Sequence, residues 1–277
     1  MTTMPTHMQA IETSGAGGPE VLRPTTRPVP QPAAGEVLVK VTAAGVNGPD
    51  MMQRKGLYPA PKGASDLLGL EVSGEVVAVG VNVSRWKTGV FIGAGLTAGE
   101  TFLVHGGAGG IGATCIQLGK AFGAKVLATD SPAERCDFCR SLGADRVIDY
   151  RTEDFVDIVR EAGGANVILD IVGGANIEKN MKAASHDARI IQLAFAQGSK
   201  VDINLMPVML KRLTYTGSTL RTRPSAYKAR VARELEEKVW PLIGAGRIKP
   251  AVNATFPLAD AAKAHALMES STHMGKI

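Results

Sequence analysis

Nine consecutive residues, Val104-His-Gly-Gly-Ala-Gly-Gly-Ile-Gly112, join an apolar strand-like run, Thr101-Phe-Leu-Val-His105, to a helix-like run from Ile111 to Phe122. A chain this rich in glycine turns sharply and lets other atoms approach its backbone, because glycine takes positive φ without penalty and carries no Cβ. Two registers overlap: Gly107-x-Gly109-x-x-Gly112, and Gly106, Gly109 and Gly112 at intervals of three. Between a strand and a helix, this pattern predicts a dinucleotide-binding turn. Gly106, Gly107, Gly109 and Gly110 would let backbone N–H groups approach a pyrophosphate, and Gly112 would let the helix pack on the strand. The helix N-terminus at Ile111 would add partial positive charge. The competing reading is a structural glycine-rich turn.

The flanking sequence repeats the alternation. After Thr101–His105 and the helix come Lys125-Val-Leu-Ala-Thr129, a helix from Pro132 to Leu142, and Arg146-Val-Ile148. Asn166-Val-Ile-Leu-Asp-Ile-Val172, ending in Gly173-Gly174, and Arg189-Ile-Ile-Gln-Leu193 follow as further strands, and 226–242 reads as a charged amphipathic helix. Strands alternating with helices require crossover connections over a parallel sheet, and continuous apolar strands fit a sheet covered on both faces. From Met8 to Val83 the texture differs. Runs such as Val37–Val41 and Val72–Val79, separated by Gly/Pro clusters, predict a small β-rich domain. The expected organisation is a β-rich domain over 1–90, a cofactor-binding domain over 91–225, and a C-terminal helix with a return to the first domain over 226–277.

Composition sets the outer limits. The chain has 277 residues, 45% hydrophobic and 21% charged, with a mean hydropathy of +0.06, values of an ordinary globular protein long enough for two domains. The net charge of +5 is spread along the chain, and Lys211-Arg212 and Arg221-Thr-Arg223 are too short and too poor in aromatics for a nucleic-acid groove. Nowhere do 18 apolar residues run together, and Met1–His7 is polar, so neither a membrane span nor a signal peptide is expected. Three cysteines, Cys115, Cys136 and Cys139, point to reduced thiols and a cytoplasmic setting. Cys136-x-x-Cys139 has the spacing of a redox or half-zinc motif but lacks a second pair.

Cofactor preference turns on the end of the second strand. Asp130 stands where an acidic residue would bond a ribose 2′-OH and favour NADH, whereas Ser131 and Arg135 would receive the 2′-phosphate of NADPH. Asp130 also fits as the cap of the helix starting at Pro132.

These residues together resemble the medium-chain dehydrogenase/reductase superfamily, and within it the zinc-free quinone oxidoreductases of the zeta-crystallin type. The segments that carry the resemblance are Gly17-Gly-Pro-Glu-Val-Leu22, Ala44-Gly-Val-Asn-Gly-Pro-Asp50, Gly56-Leu-Tyr-Pro59 and Gly69-Leu-Glu-Val-Ser-Gly-Glu75. With them go the glycine turn, Asp170-Ile-Val-Gly-Gly174, Gly217-Ser-Thr-Leu-Arg221, Ala264–Met268 and Gly275-Lys-Ile277. The resemblance implies an α/β fold, a Rossmann doubly wound parallel sheet plus a GroES-like domain. It also implies NADPH, with NADH possible given Asp130, meeting a quinone or enone in a cleft between the domains of a homodimer. Asn47 and Tyr58 match positions near the nicotinamide and are the catalytic candidates; Asp50 orients their loop. Gly173, Leu193, Phe195, Ser218 and Arg221 match segments lining the cofactor.

Zinc-binding members carry a cysteine and a His-Glu pair in the first domain; here Ala44-Gly-Val-Asn47 carries no cysteine, Leu70 precedes Glu71 where that histidine would be, and the five histidines are scattered, so no metal is expected. One departure concerns length. Val83–Val90 passes directly to Phe91–Glu100, where the family has several dozen further residues, so the GroES-like domain is expected to be incomplete, with an internal gap near Val90/Phe91. The expected function is NAD(P)H-dependent reduction of a quinone or α,β-unsaturated carbonyl. The alternatives are a nucleotide-binding protein with little or no catalysis and an enoyl-thioester reductase.

Overall fold

The computed structural model describes residues 4–81 and 95–277. They form two compact units: the first takes the described residues up to Val81 with Val252–Ile277, and the second takes 95 to Ala251. The Val90/Phe91 junction lies outside the described residues.

In the first unit β1 (His7–Thr13) pairs antiparallel with β2 (Leu22–Pro28), and β3 (Val37–Ala44) pairs antiparallel with β4 (Val72–Val79). Two register shifts break the β3–β4 ladder, at Leu38/Val39 and at Val41/Ala43. Between these strands lies α1 (Gly48–Arg54), started by Pro49, whose missing N–H costs nothing in a first helical turn. The C-terminal helix, Ala261–Ser270, holds α1 through a buried guanidinium. Arg54 donates to the Gly17 carbonyl at 3.1 Å, bonds His265 Nδ1 at 3.1 Å, and pairs with Glu269. An arginine is buried here because its donors find fixed acceptors.

The second unit contains β5 (Thr101–His105), α2 (Gly110–Ala121), β6 (Lys125–Asp130), α3 (Ala133–Ser141), β7 (Arg146–Asp149), α4 (Phe155–Glu161), β8 (Ala165–Asp170), α5 (Asn176–Ala183), β9 (Ala184–Gln192), α6 (Met206–Leu210), β10 (Thr214–Gly217), α7 (Ser225–Lys238) and α8 (Trp240–Gly244). The strands form one parallel sheet in the order β10-β9-β8-β5-β6-β7. This is the doubly wound Rossmann order, reversing between β5 and β8. Every residue of β5 is buried, and Leu103, Leu127, Ile148, Ile168 and Ile190 form a core at the middle of five strands. Cα register puts Leu103 opposite both Leu127 and Ile168, so apolar side chains stack in a layer across the sheet. The helix expected over 226–242 is divided. Pro241 cannot donate and its ring crowds the preceding turn, so α7 ends at Lys238 and α8 restarts at Trp240.

Candidate active site

The glycine turn leaves β5 at the point where strand order reverses. Gly106 has φ +69°, a conformation that favours glycine, and its N–H and that of Gly107 both donate to the Thr129 carbonyl at 3.0 Å. Gly109 closes the turn through its N–H to the Gly106 carbonyl and caps α2. Gly110, Ile111 and Gly112 then form the first helical turn, whose N–H groups have no acceptor within the helix. A Cβ on Gly112 would lie 2.1 Å from the Gly106 oxygen, so helix and turn touch backbone to backbone. Ile111 is exposed beside these amides. The arrangement presents partial positive charge to an anion at the carboxyl end of the sheet.

Asp130, at the end of β6, faces that turn. Its carboxylate accepts from the Ala108 N–H at 2.7 Å, the Ser131 N–H at 2.8 Å and Arg135 Nε at 2.6 Å. The acid is buried, so its charge is spent on propping the glycine turn and on the Arg135 guanidinium. The cap of α3 is Pro132, not Asp130. Cys136 and Cys139 sit on α3 underneath. Burial pushes the Cys139 thiol up to about 12, and Cys115 on α2 likewise, which suits packing rather than redox chemistry. Among the described residues no three His, Cys, Asp or Glu side chains gather in a way that could hold a metal ion.

A second turn follows β8. Asp170, fully buried, accepts from the Val172 N–H at 2.6 Å and the Gly173 N–H at 3.0 Å. Backbone bonds zip this turn to the loop after β9: Gln197 N–H to the Val172 carbonyl at 2.7 Å, and Gly174 N–H to the Gly198 carbonyl at 2.9 Å. Phe195 lies in that loop, half exposed, and the Leu193 N–H donates to the Asp170 carbonyl at 2.9 Å. The structure thus brings Gly173, Leu193 and Phe195 together. Ser218 joins them through its N–H to the Gln192 carbonyl at 3.3 Å. Arg221 follows in the next turn, where its carbonyl accepts from Lys228.

In the first unit Asn47 occupies the N-cap of α1, and the Asp50 carboxylate reaches back to the Asn47 N–H at 2.8 Å, one half of a capping box. The Asn47 side chain turns away from the helix. Its Nδ2 donates to Glu71 at 3.0 Å and to the Gly45 carbonyl at 3.2 Å, while Oδ1 accepts from Lys276 Nζ. Lys276 also pairs with Glu71 at 2.6 Å. Burial raises the Glu71 carboxyl, but the bonds from Lys276 and Asn47 outweigh it and hold the group below its usual range. Burial raises Asp50. Both amide hydrogens of Asn47 are engaged, so the three-hydrogen ammonium of Lys276 is the donor with capacity left. Neither Lys276 nor Glu71 stands out in the sequence as a site residue; only the adjacency of Glu71 to the position of an absent histidine hints at it. Tyr58 lies half-buried in the bend after α1.

Residues 33–124 match the alcohol dehydrogenase GroES-like domain, and residues 142–277 match the zinc-binding dehydrogenase family. Quinone oxidoreductase 1 of Escherichia coli is 30% identical over 323 residues, covering 96% of this chain and 97% of that protein. The quinone oxidoreductase of Rattus norvegicus is 28% identical, covering 98% and 97%. The crystal structure of Escherichia coli quinone oxidoreductase complexed with NADPH superposes with a TM-score of 0.81 at 27% identity, over 97% of this chain and 98% of that one. The alignment with the rat protein runs over 327 positions against 277 residues here, so several dozen positions of that relative have no counterpart in this chain.

Proposed function

Because the chain belongs to the quinone oxidoreductase family of medium-chain dehydrogenase/reductases, we propose that it reduces a quinone, or a related α,β-unsaturated carbonyl, by hydride transfer from NADPH without a metal. The observation that carries this reading is the glycine turn at the reversal of a doubly wound sheet, with the Asp130 charge cancelled beside it. A carboxylate held by Ala108 and Arg135 offers no bare negative charge to a 2′-phosphate, which supports NADPH over NADH. Gly106–Gly112 hold the pyrophosphate, Arg135 the 2′-phosphate, and Gly173, Leu193 and Phe195 the nicotinamide side.

NADPH, when bound, supplies the hydride. The chain's own part is to position and to stabilise the oxygen on which negative charge develops. In the first unit Lys276, locked between Asn47 and Glu71, has a donor suited to such an oxygen. Asn47 fixes the ammonium, and Tyr58 offers a phenolic hydroxyl to the same substrate. The test is NADPH oxidation with para-benzoquinone, run beside NADH and an enoyl thioester. Quinone-dependent turnover with NADPH, at least about tenfold faster than with NADH, is expected. Cofactor binding without turnover on any acceptor points instead to a nucleotide-binding protein.

The partner is a second copy of the chain. β10 is an edge strand with exposed residues throughout, and Leu205, Met206, Met209 and Leu210 expose apolar side chains close by in sequence. Edge pairing of β10 covered by α6 would bury both features. Sedimentation should give twice 29.0 kDa for the wild type, and Met209→Glu should shift it to the monomer. The buried free thiols support a reducing, cytoplasmic compartment.

A further inference from the structure

A chain of hydrogen bonds, buried up to Gln192 and ending on the exposed Tyr215, links five strands of the sheet. Thr129 Oγ1 on β6 bonds His105 Nδ1 on β5 at 2.9 Å; His105 Nε2 bonds Asn180 Oδ1 on α5 at 2.7 Å; Asn180 Nδ2 donates to Asp170 on β8 at 2.9 Å. Gln192 on β9 continues it through Nε2 to the Asp170 carbonyl at 3.2 Å, and Tyr215 on β10 donates to Gln192 Oε1 at 2.8 Å. His105, Thr129, Asn180, Asp170 and Gln192 are all buried.

The chemistry orders the protons. An ionised carboxylate only accepts, so Asn180 turns its amide nitrogen to Asp170 and its oxygen to His105. Nε2 of His105 then carries the hydrogen, and Nδ1 accepts from the Thr129 hydroxyl. Burial pushes the imidazole pKa down, in keeping with this neutral form. Each link has one donor and one acceptor, so none can rotate without leaving a buried group unpaired.

Both cofactor turns hang on this chain. At one end the Thr129 carbonyl holds Gly106 and Gly107; further along, the Asp170 carboxylate holds Val172 and Gly173. Gly173 touches the loop beyond: a Cβ there would lie 2.8 Å from Phe195 Cδ1, so movement of this turn displaces Phe195. The chain therefore spans the switch point from the phosphate side to the nicotinamide side.

We propose that His105 and Asn180 are positioning residues that fix the spacing between the glycine turn and the Gly173–Phe195 turn, so that the nicotinamide is held in one pose for hydride transfer. This rests on the NADPH-dependent reading above. His105→Phe keeps the ring and its edge contact with Phe155 but removes both hydrogen bonds. His105→Gln offers a donor for Asn180 and an acceptor for Thr129.

For His105→Phe, kcat should fall by about tenfold or more, and the isotope effect with deuterated NADPH should rise. Affinity for 2′,5′-ADP, which occupies only the phosphate side, should stay within about twofold. His105→Gln should keep kcat within about threefold. Unchanged kcat in His105→Phe, or equal loss of kcat and 2′,5′-ADP affinity in both variants, overturns the proposal. If His105→Phe does not fold, Thr129→Val reads the same split at one end of the chain. Should the wild type turn over no quinone, the hydride-transfer reading fails alone. The ratio of NADPH to 2′,5′-ADP affinity then decides: it should fall in His105→Phe, and an unchanged ratio overturns the positioning role.

Discussion

Asp130 and Arg135 carry opposite expectations for the cofactor, and the two side chains are in contact. Arg135→Ala would uncover a buried carboxylate next to the proposed 2′-phosphate position. Loss of a charge-assisted contact and gain of a repulsion together should weaken NADPH by ten- to about a hundredfold and leave NADH nearly untouched. Fluorescence titration with both cofactors measures the ratio; equal weakening of the two would assign Arg135 to the turn alone. Lys276→Met should lower kcat by about a hundredfold through loss of a donor to the developing oxyanion, with cofactor affinity retained. His265 provides a pH signature. Burial and then the Arg54 guanidinium lower its pKa from 6.5 to about 4. Because the unfolded histidine takes up a proton first, stability is full above 6.5 and declines as pH falls toward 4. With solvent screening allowed for, the loss is about 2 kcal/mol. His265→Gln should remove that decline, and melting curves at neutral and mildly acidic pH would show the two proteins converging as pH drops.

At the scale of elements, α2 meets β5 through the turn between them. Gly112→Val would drive a branched side chain into the Gly106 carbonyl, so the helix must lift away and the turn lose its shape. NADPH binding should fall by at least about a hundredfold while the far-ultraviolet circular dichroism of the sheet persists. The β-α alternation that contains this contact was legible in the sequence, because five buried strand residues such as Thr101–His105 leave no room for polar alternation. The strand-to-helix position of the glycines was legible for the same reason. Two things were not. The direction of the Asp130 side chain depends on Ala108 and Arg135 converging across a turn, whereas letters alone admit ribose or cap. The His105–Asn180–Asp170 chain joins residues far apart in sequence on three elements, and a single buried histidine carries no local signal of its partners. Periodicity reports faces, not the contacts made between them.

The molecule as a whole combines units of unequal cohesion. Among the described residues, the second unit stacks its core across a six-stranded sheet, whereas the first divides its strands between two two-stranded ribbons. None of β3 is buried, and Val41 on that strand is 53% exposed. Two-stranded ribbons are marginal alone, and a smaller buried surface must offset the same entropy per ordered residue. The relatives' additional positions fit this picture, since a chain several dozen residues shorter has less to cover such a ribbon. Intact mass near 29.0 kDa fixes the species under test. Calorimetry should then show two transitions, the earlier from the first unit. Saturating NADPH should raise the later one, by about 2.7 kcal/mol at a hundredfold excess over Kd, because the glycine turn proposed to bind it belongs to the second unit. Acid should lower the earlier transition, because His265 and Arg54 belong to the first. A single transition shifted by both NADPH and acid would mean that the two units unfold as one, so that the exposed ribbon costs the protein no independent stability.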